Sequence, residues 1–160
     1  DLHAFKLLRD KTKRDRIMKL VIGLDGHGSG DHALAFAKEL AAKTSDCELI
    51  VVYVIEWSPF SFQTPEENAE RHKRREEEIA IALERIVNPA VASLKEAGLA
   101  ARAIVRHGDV ADTIDKIAHE EGASQIIVAR SSSGGLTSRL FGSSTANLVM
   151  NARVPVTVVA

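Results

Sequence analysis

From Lys19 onward the chain alternates short, uninterrupted apolar runs with longer segments that carry apolar residues on one side only. Leu20-Val21-Ile22-Gly23-Leu24 and Leu49-Ile50-Val51-Val52-Tyr53-Val54-Ile55 have the length and continuity of strands buried on both faces. Ala103-Ile104-Val105, Ile126-Ile127-Val128 and Val156 to Val159 supply three more strands. Between them Asp31 predicts the cap of a helix bearing Leu34, Ala37, Leu40 and Ala41 on one face. Thr64-Pro65-Glu66-Glu67 combines capping-box spacing with proline at the first helical position, which predicts the start of a long charged helix. Asn88-Pro89 is expected to kink or restart that helix, and Gly98 to stop it. Asp109 predicts the cap of a helix carrying Val110, Ile114, Ile117 and Ala118, with Gly122 as its stop, and a further helix is predicted over Ser143 to Asn151. Strand and helix in alternation give an α/β fold, an open five-stranded parallel sheet with helices on both faces. Pro155 at the start of the last strand places that strand at an edge. Trp57, Phe60 and Phe62, in the loop from Trp57 to Gln63, are expected to fold back over the sheet edge.

The residues before this pattern change the picture. Asp1 to Lys19 holds seven basic residues against three acids, and residues 1–18 are read as a basic N-terminal arm or linker ahead of a domain spanning 19–160. The arm is a solvated appendage, residues left by cloning, or a linker that followed another domain; a start at Asp1 with Met18 directly before the first strand fits each of these. A length of 160 residues with 45% hydrophobic content suits one domain. The net charge of −1 argues against a nucleic-acid binder, and small-molecule or protein partners are expected instead. Cys47 is the single cysteine, so no disulfide framework exists and the cytoplasm is the expected compartment. No apolar run reaches the roughly 18 residues of a membrane span, so no membrane insertion is expected of these residues.

In an open parallel sheet, ligands bind beyond the carboxyl ends of the strands where the strand order reverses. That rule selects two stretches here. Asp25-Gly26-His27-Gly28-Ser29-Gly30 follows the first strand, but its glycines alternate, and the place of the third glycine of a dinucleotide fingerprint is taken by Asp31. These glycines make a tight strand-to-helix turn, after which Asp25 can accept a hydrogen bond from a ligand hydroxyl or amino group. The second stretch runs from Ala129 and Arg130 through Ser131-Ser132-Ser133, Gly134, Gly135 and Arg139 to Gly142-Ser143-Ser144. Small residues let backbone N–H groups approach an anion, the helix opening at Ser143 adds positive potential, and Arg130 and Arg139 add charge, so a phosphate fits; a serine-rich surface loop with Ser143 as an ordinary cap fits equally well. The six histidines show no metal-binding pair, and Ser29 lacks the glycine two places before it that a nucleophile elbow needs. No metal site and no catalytic residue is assigned.

The strand from Lys19 ending in Asp25-Gly26, the His107-Gly108-Asp109-Val110 turn, the long serine-glycine loop closed by Gly142-Ser143, and Val154-Pro155-Val156-Thr157-Val158-Val159 together resemble the universal stress protein family over residues 19–160. The resemblance implies a Rossmann-like sheet in the order 3-2-1-4-5. It also implies a homodimer formed by antiparallel pairing of the C-terminal edge strand. ATP or another adenine nucleotide, with Mg²⁺, is the implied cofactor, in a regulatory stress-response or signalling module. By resemblance, Asp25 and Gly26 lie near the ribose, the backbone of Val54 meets the adenine edge, Gly108 lies near the sugar-phosphate region, and Ser143 and Ser144 meet the phosphates. Members that bind ATP carry a loop of glycine, two residues, glycine, nine residues, glycine, then serine or threonine. Here the first two glycines are replaced by Ala129 and Ser132, while Gly142 and Ser143 are retained. An alanine at a position needing positive φ costs roughly 1 kcal/mol. Two alternatives therefore stand beside the nucleotide reading: a member that works only through protein–protein contact with an unknown partner, and the cytosolic regulatory domain of a larger transporter. A slow ATPase needs a water-positioning base, which no motif supplies.

Overall fold

The computed structural model describes residues 2–14, 17–26, 28, 30–56, 64–130 and 143–160. The aromatic loop of Trp57, Phe60 and Phe62, and also His27, Ser29, Ser132, Arg139 and Gly142, lie outside the described residues. The elements run α1 (Leu2–Arg14), β1 (Met18–Leu24), α2 (Gly30–Ala42), β2 (Cys47–Glu56), α3 (Pro65–Ala82), a π-turn (Leu83–Val87), α4 (Asn88–Glu96), β3 (Ala100–Gly108), α5 (Val110–Glu121), β4 (Gln125–Ala129), α6 (Ser143–Asn151) and β5 (Val156–Val159). All four strand pairings are parallel, and the sheet order is β3-β2-β1-β4-β5, as expected.

Because successive strand residues point to opposite faces, a continuous apolar run fills two cores at once. Leu20, Ile22, Leu49 and Val51 pack beneath Ala33, Ala37 and Ala41 of α2 and Val91 and Leu94 of α4. Val21, Ile50 and Val52, one residue out of phase, pack under Ile114, Ile117 and Ala118 of α5 and Leu148 of α6. The central side chains Leu20, Ile22, Leu49, Ile50, Ile126 and Ile127 are fully buried, each contributing about 1.5–3 kcal/mol of hydrophobic stabilisation.

The capping signals act as the sequence predicts. Thr64 accepts from the Glu67 amide at 3.2 Å, and the Glu67 carboxylate accepts from the Thr64 amide at 2.7 Å. Asp109 caps α5 through the Asp112 amide, and Gly122 closes that helix in the left-handed conformation at φ 65°. Asp31 differs from its predicted place. It is the second residue of α2, which opens at Gly30, so its carboxylate faces the positive end of the helix from inside the first turn. The Asn88-Pro89 step restarts the helix as expected: α3 ends at Ala82, and α4 opens at Asn88 with Pro89 in its first turn. A π-turn precedes it, with the Asn88 amide bonding back to Leu83, which relieves the clash a proline ring makes with the preceding turn.

At the amino end of the sheet, Arg102 of β3 donates to Glu48 of β2 at 2.6 Å and to Glu121 at the end of α5. Lys19 of β1 stands 4.0 Å from Glu121. The hydrogen bond from Arg102 holds the Glu121 carboxyl below its usual range, and the same bond raises the Arg102 guanidinium. Arg102 is 42% exposed, so solvent screens the cluster and its value is modest. A depressed carboxylate stabilises the fold fully above its ordinary value of 4.5 and loses that contribution as the pH falls through the folded value. Glu121→Gln is therefore expected to lower stability at neutral pH by about 0.5–1 kcal/mol. Urea melts at stepped pH should show the gap to the parent closing in acid.

Candidate functional site

The sheet reverses direction between β1 and β4. Crossovers from β1 to β2 and from β2 to β3 pass over the face carrying α2 and α4, whereas α5 and α6 cover the other face. The β1–β4 ladder ends at Gly23 with Val128, while β4 stays paired with β5 through Ala129 and Val159. One chain then departs through Leu24 and Asp25 toward α2, and the other through Arg130 toward α6. Such divergence leaves a crevice where ligands bind in open α/β sheets.

Strand lengths set the second feature. β1 pairs with β2 as far as Leu24 with Tyr53, but β2 continues beside β3 to Glu56 with Gly108. Among the described residues the side of β2 that faces β1 therefore has no ladder partner beyond Tyr53, along Val54, Ile55 and Glu56. The Val54 side chain is itself buried, 6% exposed.

The fold brings Asp25, Gly26, Val54, Ala129 and Arg130 to the carboxyl end of the sheet around this divergence, with Asp25, Gly26 and Arg130 exposed. Ser143 and Ser144 open α6, a helix of nine residues whose N-terminus favours an anion. Gly108 sits one strand further out, at the buried end of β3. Beside it the His107 Nε2–H donates to the Glu78 carboxylate at 2.9 Å, which ties α3 to the end of β3. Ser132 and Gly142 lie outside the described residues.

Ala129 is the residue on which the altered loop turns. It is the last residue of β4, in register with Val159, and among the described residues the one non-glycine with positive φ is Asp46. The position makes no demand that only glycine meets, so the strain expected of an alanine there does not arise.

The sequence did not indicate the cleft of about 400 Å³ on the α2 and α4 side of the β1 end. Asp25, Gly26 and Gly28 form one wall, Asp31 and Leu34 of α2 another, and Arg85, Ile86, Pro89 and Ser93 the third. Its described lining contains none of Val54, Gly108, Ala129, Arg130, Ser143 or Ser144, so of the expected residues that are described it shares Asp25 and Gly26. The Asn88-Pro89 step was the available signal, since the π-turn it requires carries Arg85 and Ile86. Among the described residues no cluster of three metal-ligating side chains occurs. Cys47 has its thiol raised by burial, which keeps it in the unreactive protonated form.

A model of the universal stress protein family matches residues 16–160. Among solved structures, the universal stress protein UspA from Lactobacillus plantarum aligns with a TM-score of 0.72 at 19% identity, covering 91% of this chain and 99% of that one. A universal stress protein from Archaeoglobus fulgidus in complex with dAMP aligns with a TM-score of 0.56 at 18% identity, over 89% of this chain and 98% of its own. A universal stress protein in complex with cAMP aligns with a TM-score of 0.63 at 22% identity, over 89% and 96% respectively. No curated protein sequence matches the chain significantly.

Gly26 adopts φ 76°, and a Cβ built there stands 3.2 Å from the Tyr53 ring; Gly28 adopts φ 88° with nothing within 4 Å. Both alanine variants should pay the left-handed penalty of roughly 1 kcal/mol, and Gly26→Ala should pay more because Tyr53 must shift. Thermal melts are expected to rank the parent above Gly28→Ala, and Gly28→Ala above Gly26→Ala.

Proposed function

The chain belongs to the universal stress protein family, and from that premise we propose that it is a regulatory module which binds an adenine nucleotide at the β1–β4 divergence and works as a homodimer. The observation that carries the nucleotide reading is the overhang of β2 beyond β1 beside that divergence. Backbone groups at Val54 suit the edge of an adenine, Asp25 suits the paired hydroxyls of a ribose, and the N-terminus of α6 at Ser143 and Ser144 suits phosphate, with Arg130 adding charge. Structural relatives in complex with dAMP and cAMP support the same class of ligand. Any Mg²⁺ rides with the phosphates, since the described residues offer no cluster of their own for it. The cytosol, where ATP is abundant, is the matching compartment.

Isothermal titration should show ATP or AMP binding, weakened about tenfold or more by Asp25→Ala as a ribose hydroxyl loses its charged acceptor. Ala129→Gly should change affinity less than about twofold, because the strand backbone there carries no left-handed strain. Absence of heat with ATP, ADP and AMP at millimolar concentration would sink the nucleotide reading and leave association with a protein partner as the function.

The dimer reading rests on β5. Ile126 and Arg130 of β4 donate to the carbonyls of Pro155 and Val159 at 2.8 Å each, so the odd-numbered residues of β5 turn their backbone groups inward to the ladder. Val156 and Val158 turn theirs outward along an edge with no partner strand among the described residues. Next to that edge α6 exposes Val149 and Met150. Pairing with a second copy satisfies the edge and covers these side chains. Val158→Pro removes an outward amide alone, so light scattering should show a dimeric parent and a variant shifted to monomer with little change in melting temperature. A monomeric parent at micromolar concentration overturns this part.

A further inference from the structure

We propose that α1 is an amphipathic anchor that lies on the surface of anionic lipid bilayers. The helix stands outside both cores, and every side chain described in it, from Leu2 to Lys11, is exposed. Phe5 is 72% exposed, Leu7 59% and Leu8 63%, values no soluble helix keeps on its apolar side without something to cover them.

The residues sort onto two sides. Ala4 meets Leu7 and Leu8 at three- and four-residue spacing, and Phe5 meets Leu8 at three, which makes one apolar side. His3, Lys6, Arg9 and Asp10 are linked by the same spacings on the other. Charge points to the partner. Leu2–Arg14 carries five basic residues and one acid in a chain whose net charge is −1, so the remainder carries −5. A positive helix on a negative body suits a negative surface for the helix alone.

Two features favour a bilayer over a protein groove. A helix docked in a groove uses anchors at i, i+3, i+4 and i+7, but the apolar ladder ends at Leu8 and Lys11 occupies the place seven after Ala4. A short apolar patch bordered by lysine instead matches a helix lying at the headgroup level, where the lysine stem lies along the acyl boundary and its ammonium reaches the phosphates. Among the described residues no helix is long and apolar enough to cross the membrane, so α1 lies on the surface.

The tether limits the distance. Three residues, Asp15 to Ile17, separate α1 from β1, a reach of at most about 14 Å. The amino end of β1 is therefore held near the bilayer. This inference is independent of nucleotide binding.

Vesicle flotation with the 160-residue chain tests it, using phosphatidylcholine alone and phosphatidylcholine mixed with phosphatidylserine. At low salt the mixed vesicles are expected to retain about tenfold more protein than neutral ones, and high salt to erase the difference. Phe5→Asp/Leu8→Asp and, separately, Lys6→Glu/Arg9→Glu should each reduce retention to the neutral level, with an unchanged melting curve showing the sheet intact. Equal retention on both vesicles, none on either, or retention unaffected by Phe5→Asp/Leu8→Asp overturns the proposal. So does light scattering without lipid that shows self-association abolished by that variant, which would make a second copy the occupant. Binding to short duplex DNA that is tighter than to mixed vesicles and unaffected by Phe5→Asp/Leu8→Asp would likewise overturn it, in favour of a nucleic-acid partner.

Discussion

Everything in this molecule hangs on β1, the central strand of the sheet, where the order of the strands reverses. Its apolar run serves both cores, so Leu20 and Ile22 hold α2 while Val21 holds α5. Gly23 completes the arrangement by absence of a side chain. A Cβ there would stand 3.1 Å from both Ile114 and Val128, so glycine lets α5 settle onto the strand where the sheet is about to split. The same strand that joins the layers ends level with β4 and short of β2, and that step leaves the β2 overhang beside the divergence.

The two ends of the sheet divide the labour. At the amino end, Lys19, Glu48, Arg102 and Glu121 draw β1, β2, β3 and α5 together through charge-assisted bonds. At the carboxyl end the strands stop at different heights, and their loops lead away on glycines and exposed polar residues. Stability concentrated at one end permits uneven strand ends at the other, since a site built from backbone groups needs strands that do not all pair to their tips. The His107–Glu78 bond is the exception, a clasp at the working end that holds α3 against β3.

Much of the fold was legible because each signal had one physical reading. Continuous apolar runs mean strands buried twice, Thr64-Pro65-Glu66-Glu67 means a helix start, and Pro155 means an edge, and the structure has all three. Boundaries were less legible. β3 runs from Ala100 to Gly108, longer than its apolar stretch, because Arg102 and Arg106 extend the strand through ion pairs with Glu121 and Glu120 rather than through burial. At the site, the sequence named Asp25 and the Ser143 helix start from the strand-end rule and named Val54 through family resemblance alone. The cleft against Arg85 and Ser93 was less legible, since its only signal was the Asn88-Pro89 step, which marks a helix irregularity but not that the π-turn before it lines a cleft with Arg85 and Ile86.

On the proposed nucleotide reading, recognition resides in strand lengths, which bears directly on the replaced glycine at Ala129. A side-chain site is lost when its side chains change, but backbone groups survive substitution as long as the ladder ends where it did. At Ala129 the chain is still strand, held to Val159, and the turn away begins only at Arg130. What the strand must preserve is the stop of the β1–β4 ladder at Gly23 and Val128 and the overrun of β2 past Tyr53, and both are set by the packing of buried aliphatic residues. Solved structures that share this fold at about one residue in five show how far the sequence can change while the architecture is kept.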